Sequence, residues 1–237
     1  MRASAASTIL LLLISSYASL ATTFHLDPGS GSMAGDGSAQ KPWSTLKAVI
    51  DSGKIESKEG AQLPYSAGMP LKVKNPGAPV KSGDTLLLRS GYHGAITVQR
   101  FYNDDMITIR SQPGHRPLVS SLKVSACSKW RIEGLTISTH HAPTYTRTTL
   151  LTIESHSHSG PSRDIVASAC TLYSVPNASS WTMGQWDTLS CSAISVSAPA
   201  VTIRGNYCKN VNFGISISAD STSWACPSKP VSLLSHS

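Results

Sequence analysis

The chain has 237 residues, of which 14% are charged and 6% aromatic, and it carries a formal net charge of +7. That length suits one domain with a real core, and plentiful Ser, Thr, Gly and Pro suit many short strands joined by turns. The positive balance favours anionic partners; the alternative is a basic surface with no partner.

Residues 1–21 read as a secretory signal. Arg2 supplies the positive end, Ile9–Ile14 the apolar centre, and Ser19-Leu20-Ala21 the small residues at a cleavage site. The apolar run is too short to span a bilayer, so residues 22–237 are expected to form one exported domain. An exported basic protein meets acidic polysaccharides before it meets nucleic acid.

Residues 24–28 read as a first strand, followed by a Gly/Ser loop over 29–37. Residues 42–50 read as a short helix, with Trp43, Leu46, Val49 and Ile50 on one apolar face, able to cover the open end of a stack of strands. Residues 52–81, with four prolines and weak periodicity, read as an irregular excursion. A repeat then begins. Asp84-Thr-Leu-Leu-Leu-Arg-Ser90 and Asp105-Met-Ile-Thr-Ile-Arg-Ser111 share Asp, an apolar run, Arg and Ser at an offset of 21 residues. A looser copy, Lys129–Gly134, aligns Trp130 and Ile132 with Ile107 and Ile109, and 200–206 repeats the pattern. Short β-branched strands returning every ~20–25 residues predict a solenoid of stacked parallel strands, since one such strand cannot bury its inner face alone. Residues 140–147, 156–163 and 181–189 read as projecting polar loops, and 194–196, 201–203 and 215–217 as the last strands.

Five cysteines leave at least one thiol unpaired within the chain; Cys170 and Cys191, about one repeat apart, are candidates to stack and bond. None has the spacing of a zinc site. Asn177-Ala-Ser179 is an N-glycosylation sequon.

Gly35-Asp-Gly-Ser38 with Lys41–Leu46 resembles the N-terminal entry of right-handed parallel β-helix proteins of the pectate-lyase type. Residues 82–94 are similar to their first coil, 130–137 to a later one, and 205–217 to their Asn-bearing repeat, in which turn asparagines stack into a ladder. The resemblance covers most of 24–217. It implies an all-β parallel β-helix and extracellular action on polysaccharides, often acidic. It also implies Ca²⁺ held by carboxylates, with a Lys or Arg removing the proton beside a uronate carboxyl group. The chemistry is sound without the family: that proton becomes acidic only when a cation neutralises the carboxylate, and a base must lie within hydrogen-bond reach.

Lys209 and Arg204 are the candidate base and uronate-binding groups, against a reading as solvated turn residues. Glu133, Glu154 and Asp164, near strand ends, are the candidate carboxylate row for Ca²⁺, against a reading as unpaired surface acids. Asp104 and Asp105, and Asp27 and Asp36, fit turn geometry as well as cation binding. His140, His141, His156 and His158 lie in loops, with His156-Ser-His158 a two-ligand metal candidate lacking a third. Trp181 and Trp186 are candidates to stack on sugar rings or to pack on the body. The Asn-Thr-Asp and Gly-His-Gly elements of polygalacturonase-like hydrolases do not occur.

The expected function is therefore a secreted lyase acting by β-elimination on a uronate polymer, or else a non-catalytic carbohydrate-binding or surface protein. With no helix visible after Ile217, the array is expected to end without a closing cap, giving little activity and association through the last strands.

Overall fold

A computed structural model describes residues 21–220 and 232–234. The expected signal segment therefore lies outside the described residues, apart from Ala21. Strands dominate and form a twelve-stranded and a five-stranded sheet, in which every ladder is parallel except those of Ser57–Gly60 with Leu71–Lys74 and with Tyr102. No barrel closes among the described residues.

The large sheet divides into two ladders, because its two long strands, Ala95–Ser111 and Ser121–Glu133, take part in both. The first ladder carries 95–99, 121–125, Thr149–Glu154, Ser192–Ser197 and Phe213–Ile217. The second runs from Thr23–Leu26 through Thr85–Leu88, 107–110 and 128–133 to Arg163–Ser168, Val201–Arg204 and Ser232–Leu234. The five-stranded sheet is the third ladder: Gly91–Tyr92, Pro117–Val119, Thr136–Ile137, Thr171–Tyr173 and Tyr207–Lys209.

Register explains the core. Leu86, Ile109, Ile132, Ala167 and Ile203 pair in succession and are all buried. So do Val98, Val124, Ile153 and Val196 in the first ladder, and Val119, Ile137 and Leu172 in the third. Each fully buried Val, Leu or Ile contributes ~1.5–3 kcal/mol, and β-branched residues suit the pleated wall. Two positions turn the backbone through left-handed conformations at matching places. Lys129, Asp164 and Ala200 precede three paired second-ladder strands at φ 58°, 56° and 54°, and Gly134, Ala169 and Gly205 follow them at 72°, 53° and 59°.

The sequence repeat misplaces one rung. Leu86 pairs with Ile109, not with Ile107, which the Asp-to-Asp alignment pairs with it. A two-residue slip keeps every inward residue inward, because side chains alternate with a period of two. The Trp130 and Ile132 alignment is as observed. The asparagine ladder is not. Instead two asparagines each bridge to the preceding turn: Asn206 accepts from the Cys170 N–H at 2.9 Å and donates to the Ala167 carbonyl at 3.0 Å, and Asn210 donates to the Val175 carbonyl at 2.8 Å.

Helix α1, Leu46–Asp51, starts at Thr45, whose hydroxyl accepts from the Ala48 N–H at 3.1 Å. Leu46, Val49 and Trp43 are buried, as the apolar face predicts. Trp43 stacks on Phe24 at 4.9 Å, and Gly37, at φ 81°, lies against both rings where a Cβ would come within 2.7 Å. Residues 52–81 are not wholly irregular: Ser57–Gly60 and Leu71–Lys74 form an antiparallel hairpin beside Tyr102. The prolines between them hide the hairpin from periodicity. Ser232–Leu234 adds a strand beyond Val201–Arg204 that the sequence did not reveal. Phe213, Ile215 and Ile217 are exposed although Ile215 and Ile217 continue buried columns. Other residues after Cys226, on which the question of a closing cap turns, lie outside the described residues.

Candidate active site

The third ladder brings His140, His141, Tyr173 and Lys209 together. Alternation along its strands turns Leu172 inward and sends Tyr173 the other way, with Lys209 paired beside it on the next strand. Ser138 ends the preceding strand, and its hydroxyl accepts from the His140 N–H to start a single 3₁₀ turn, Thr139–His141. That turn delivers His141 to Tyr173. The imidazole Nε2 and the phenol oxygen are 2.7 Å apart. Lys209 Nζ sits 5.4 Å from the centre of the Tyr173 ring, a cation–π distance. His140 meets the His141 ring edge-on at 5.4 Å.

Burial lowers the His141 pKa below the usual histidine value, and His140 adds to the effect. Burial raises the Tyr173 pKa, partly offset by the charge of Arg116. At neutral pH the pair is therefore a neutral imidazole and a protonated phenol, a base and an acid in one hydrogen bond.

Two loops border this pair. Tyr145 donates to the Leu189 carbonyl at 2.5 Å and Arg147 Nε to the Ser190 carbonyl at 3.0 Å, tying the loop after His141 to the one after Tyr173. The second loop contains helix α2, Met183–Leu189, opened by a reciprocal cap between Thr182 and Gln185. Trp181 and Trp186 pack edge-to-face on each other at 5.1 Å and are partly exposed. Asn177 is exposed on the same loop, its side chain accepting from the Ser179 N–H at 2.9 Å.

The other sequence candidates scatter. Arg204 ends a second-ladder strand, away from Lys209 on the third, and lines a shallow groove of about 320 Å³ with Glu133. Glu154 is on the first ladder, paired with Lys123 at 2.8 Å and accepting from Ser125 Oγ at 3.1 Å. Asp164 lies in a separate cleft. Glu133, Glu154 and Asp164 thus form no row, because the chain turns a corner between them. No group of three or more potential metal-ligating side chains occurs among the described residues. His156 Nδ1 accepts from the His158 N–H at 3.2 Å, a turn contact rather than a free ligand pair. Asp27 accepts from Ser30, Gly29 and Arg89, led by the Ser30 hydroxyl, which holds its carboxyl down at about 2. Asp36 caps the Ser38 N–H, Asp104 pairs with Lys58 at 2.7 Å, and Asp105 accepts from Met106 N–H. Cys127, Cys170, Cys191 and Cys208 are free thiols, so Cys170 and Cys191 do not bond: Cys170 enters the third ladder, while Cys191 ends the loop after Tyr173.

Sequence reasoning named His141 and Lys209 separately and missed Tyr173. The only signal able to find the group is the strand register, since His141 and Tyr173 are 32 residues apart. No helix among the described residues is long and apolar enough to cross a membrane. Comparison with family models, with curated proteins and with solved structures found no match to this chain, which leaves the geometry of its own side chains to speak for its chemistry.

Proposed function

We propose that the chain is a right-handed parallel β-helix, exported from the cell, that cleaves an acidic polysaccharide by β-elimination at the His141–Tyr173–Lys209 group. Three parallel ladders with matched left-handed corners support the fold reading. The single observation that carries the reaction is the 2.7 Å contact between His141 Nε2 and the Tyr173 hydroxyl, with Lys209 beside the ring.

In this reading Lys209, helped by Arg116, neutralises the uronate carboxylate and acidifies the adjacent C5–H bond. The Tyr173 oxygen takes that proton as its own phenolic proton passes to His141 Nε2, with which it is hydrogen-bonded. The C5–H electron pair forms the C4–C5 double bond, the C4–O4 bond breaks, and Tyr173 gives its proton to the departing oxygen. The phenolate and imidazolium left behind exchange one proton across their hydrogen bond and restore the starting state. The Trp181 and Trp186 loop, leaving directly from Tyr173, supplies apolar faces for neighbouring sugars.

Incubation with polygalacturonate, alginate and glucuronan, followed by the ultraviolet absorbance of unsaturated uronates, tests the reaction. Reducing ends without that absorbance would sink it in favour of hydrolysis. Activity should survive EDTA; its loss would return the neutralising role to Ca²⁺. Retention of a polymer without cleavage would favour the carbohydrate-binding alternative, for which the exposed Trp loop is the supporting feature.

A further inference from the structure

A second site stands apart from the third ladder. The hairpin of Ser57–Gly60 and Leu71–Lys74, the Tyr102–Asp104 turn and the Lys129/Asp164/Ala200 corner enclose a cleft of about 410 Å³. Its floor is fixed by bonds of its own. Tyr102 is buried, and Asn103 accepts from Ser57 Oγ at 2.6 Å and donates to the Lys129 carbonyl at 3.2 Å. Three of its charged side chains are also engaged: Lys58 pairs with Asp104 at 2.7 Å, and Lys129 Nζ donates to the Asp104 carbonyl. Two are not. Neither Arg163 nor Asp164 makes a side-chain hydrogen bond or ion pair among the described residues, although they are neighbours in the chain and both line the cleft. Leu71, Pro199 and Ala200 add an apolar wall.

A free guanidinium, a free carboxylate and an apolar wall in one cleft call for a ligand with the same three parts. We infer that this cleft binds a zwitterionic α-amino acid with an apolar side chain. The ligand carboxylate pairs with Arg163, a fork suited to planar carboxylates, and Lys129 has donors left to assist. The ligand ammonium pairs with Asp164, and the side chain lies against Leu71 and Pro199. The cleft has room for a leucine or phenylalanine, and it shares no residue with the His141 group.

Leucine, N-acetyl-leucine, leucine methyl ester and glucuronate, titrated against the mature chain by calorimetry and saturation-transfer NMR, separate the possibilities. Leucine should saturate, and losing either ligand charge should weaken binding at least tenfold. Arg163→Gln and Asp164→Asn should each do the same; Asn tolerates the left-handed backbone at 164, so folding is preserved. Lys209→Ala, outside the cleft, should leave leucine binding unchanged, which keeps this test independent of the proposed cleavage. Equal binding of leucine and N-acetyl-leucine, binding of glucuronate but not leucine, or no saturation by leucine would each overturn the assignment.

Discussion

His93 and His141 are the same side chain in two opposite situations. His93 is fully buried between the N-terminus of α1 and the turn before it. Its Nδ1 accepts from the Leu46 N–H at 3.2 Å, and its Nε2 contacts the Arg89 carbonyl at 2.9 Å. An amide can only donate and a carbonyl can only accept, so the proton is fixed on Nε2 and the ring has one permitted state. His141 faces a phenol, which can donate or accept, at a partly exposed position. The first ring is locked and holds a helix; the second can pass a proton. What separates structural from chemical histidine here is the nature of the partner, not burial alone, since burial lowers both pKa values.

The sharpest way to break this contrast is paired substitution. His141→Ala should lower polymer cleavage by about 10²–10⁴-fold while leaving the urea midpoint nearly unchanged. His93→Ala should do the reverse. It strands a buried amide and a buried carbonyl and opens a cavity, at ~3–5 kcal/mol in urea unfolding, with activity per folded molecule retained. Equal effects of the two substitutions on stability would erase the distinction.

Acid sharpens it further. Desolvation lowers the His93 pKa in the folded state, so the unfolded chain binds the proton first. The stability His93 confers is fully present above its unfolded value of about 6.5 and is lost as pH falls from there toward the folded pKa. Thermal midpoints should therefore drop between pH 7.5 and 5, and the drop should shrink in His93→Gln. Cleavage should fall over the same direction of pH through protonation of His141, and that fall should persist in His93→Gln.

Smaller effects belong to the surroundings of Tyr173. Tyr173→Phe keeps the ring under Lys209 and should cost ~1 kcal/mol of stability or less, yet remove most cleavage. Trp181→Ala should raise the concentration of polymer needed for half-maximal rate roughly tenfold, the scale of ~1–1.5 kcal/mol for one aromatic contact, and leave the maximal rate alone.

How much of this was readable beforehand follows from range of interaction. The apolar face of α1 and the Trp130–Ile132 rung are local patterns, and the sequence shows them directly. The Leu86 rung was displaced by two because Asp84 and Asp105 look alike but differ in role: Asp84 accepts from the Thr22 and Lys81 amides, whereas Asp105 accepts only from its neighbour, Met106. Glu133 and Glu154 looked like one row because strand ends recur, and spacing does not say which wall a strand belongs to. Tyr173 escaped because an outward tyrosine has no signature until its neighbours across the ladder are known.

The free thiols give the molecule an internal reporter. Burial pushes Cys127 and Cys170 up to about 12, and neither side chain is exposed. In the native state they present almost no thiolate to an alkylating reagent. Modification must wait for the strands around them to separate, so its rate at each site measures the free energy of opening that part of the wall. Cys127 reads the bend shared by the first and second ladders, and Cys170 the passage into the third. Mass spectrometry of the two peptides over a labelling time course would therefore show whether the walls part together or one at a time.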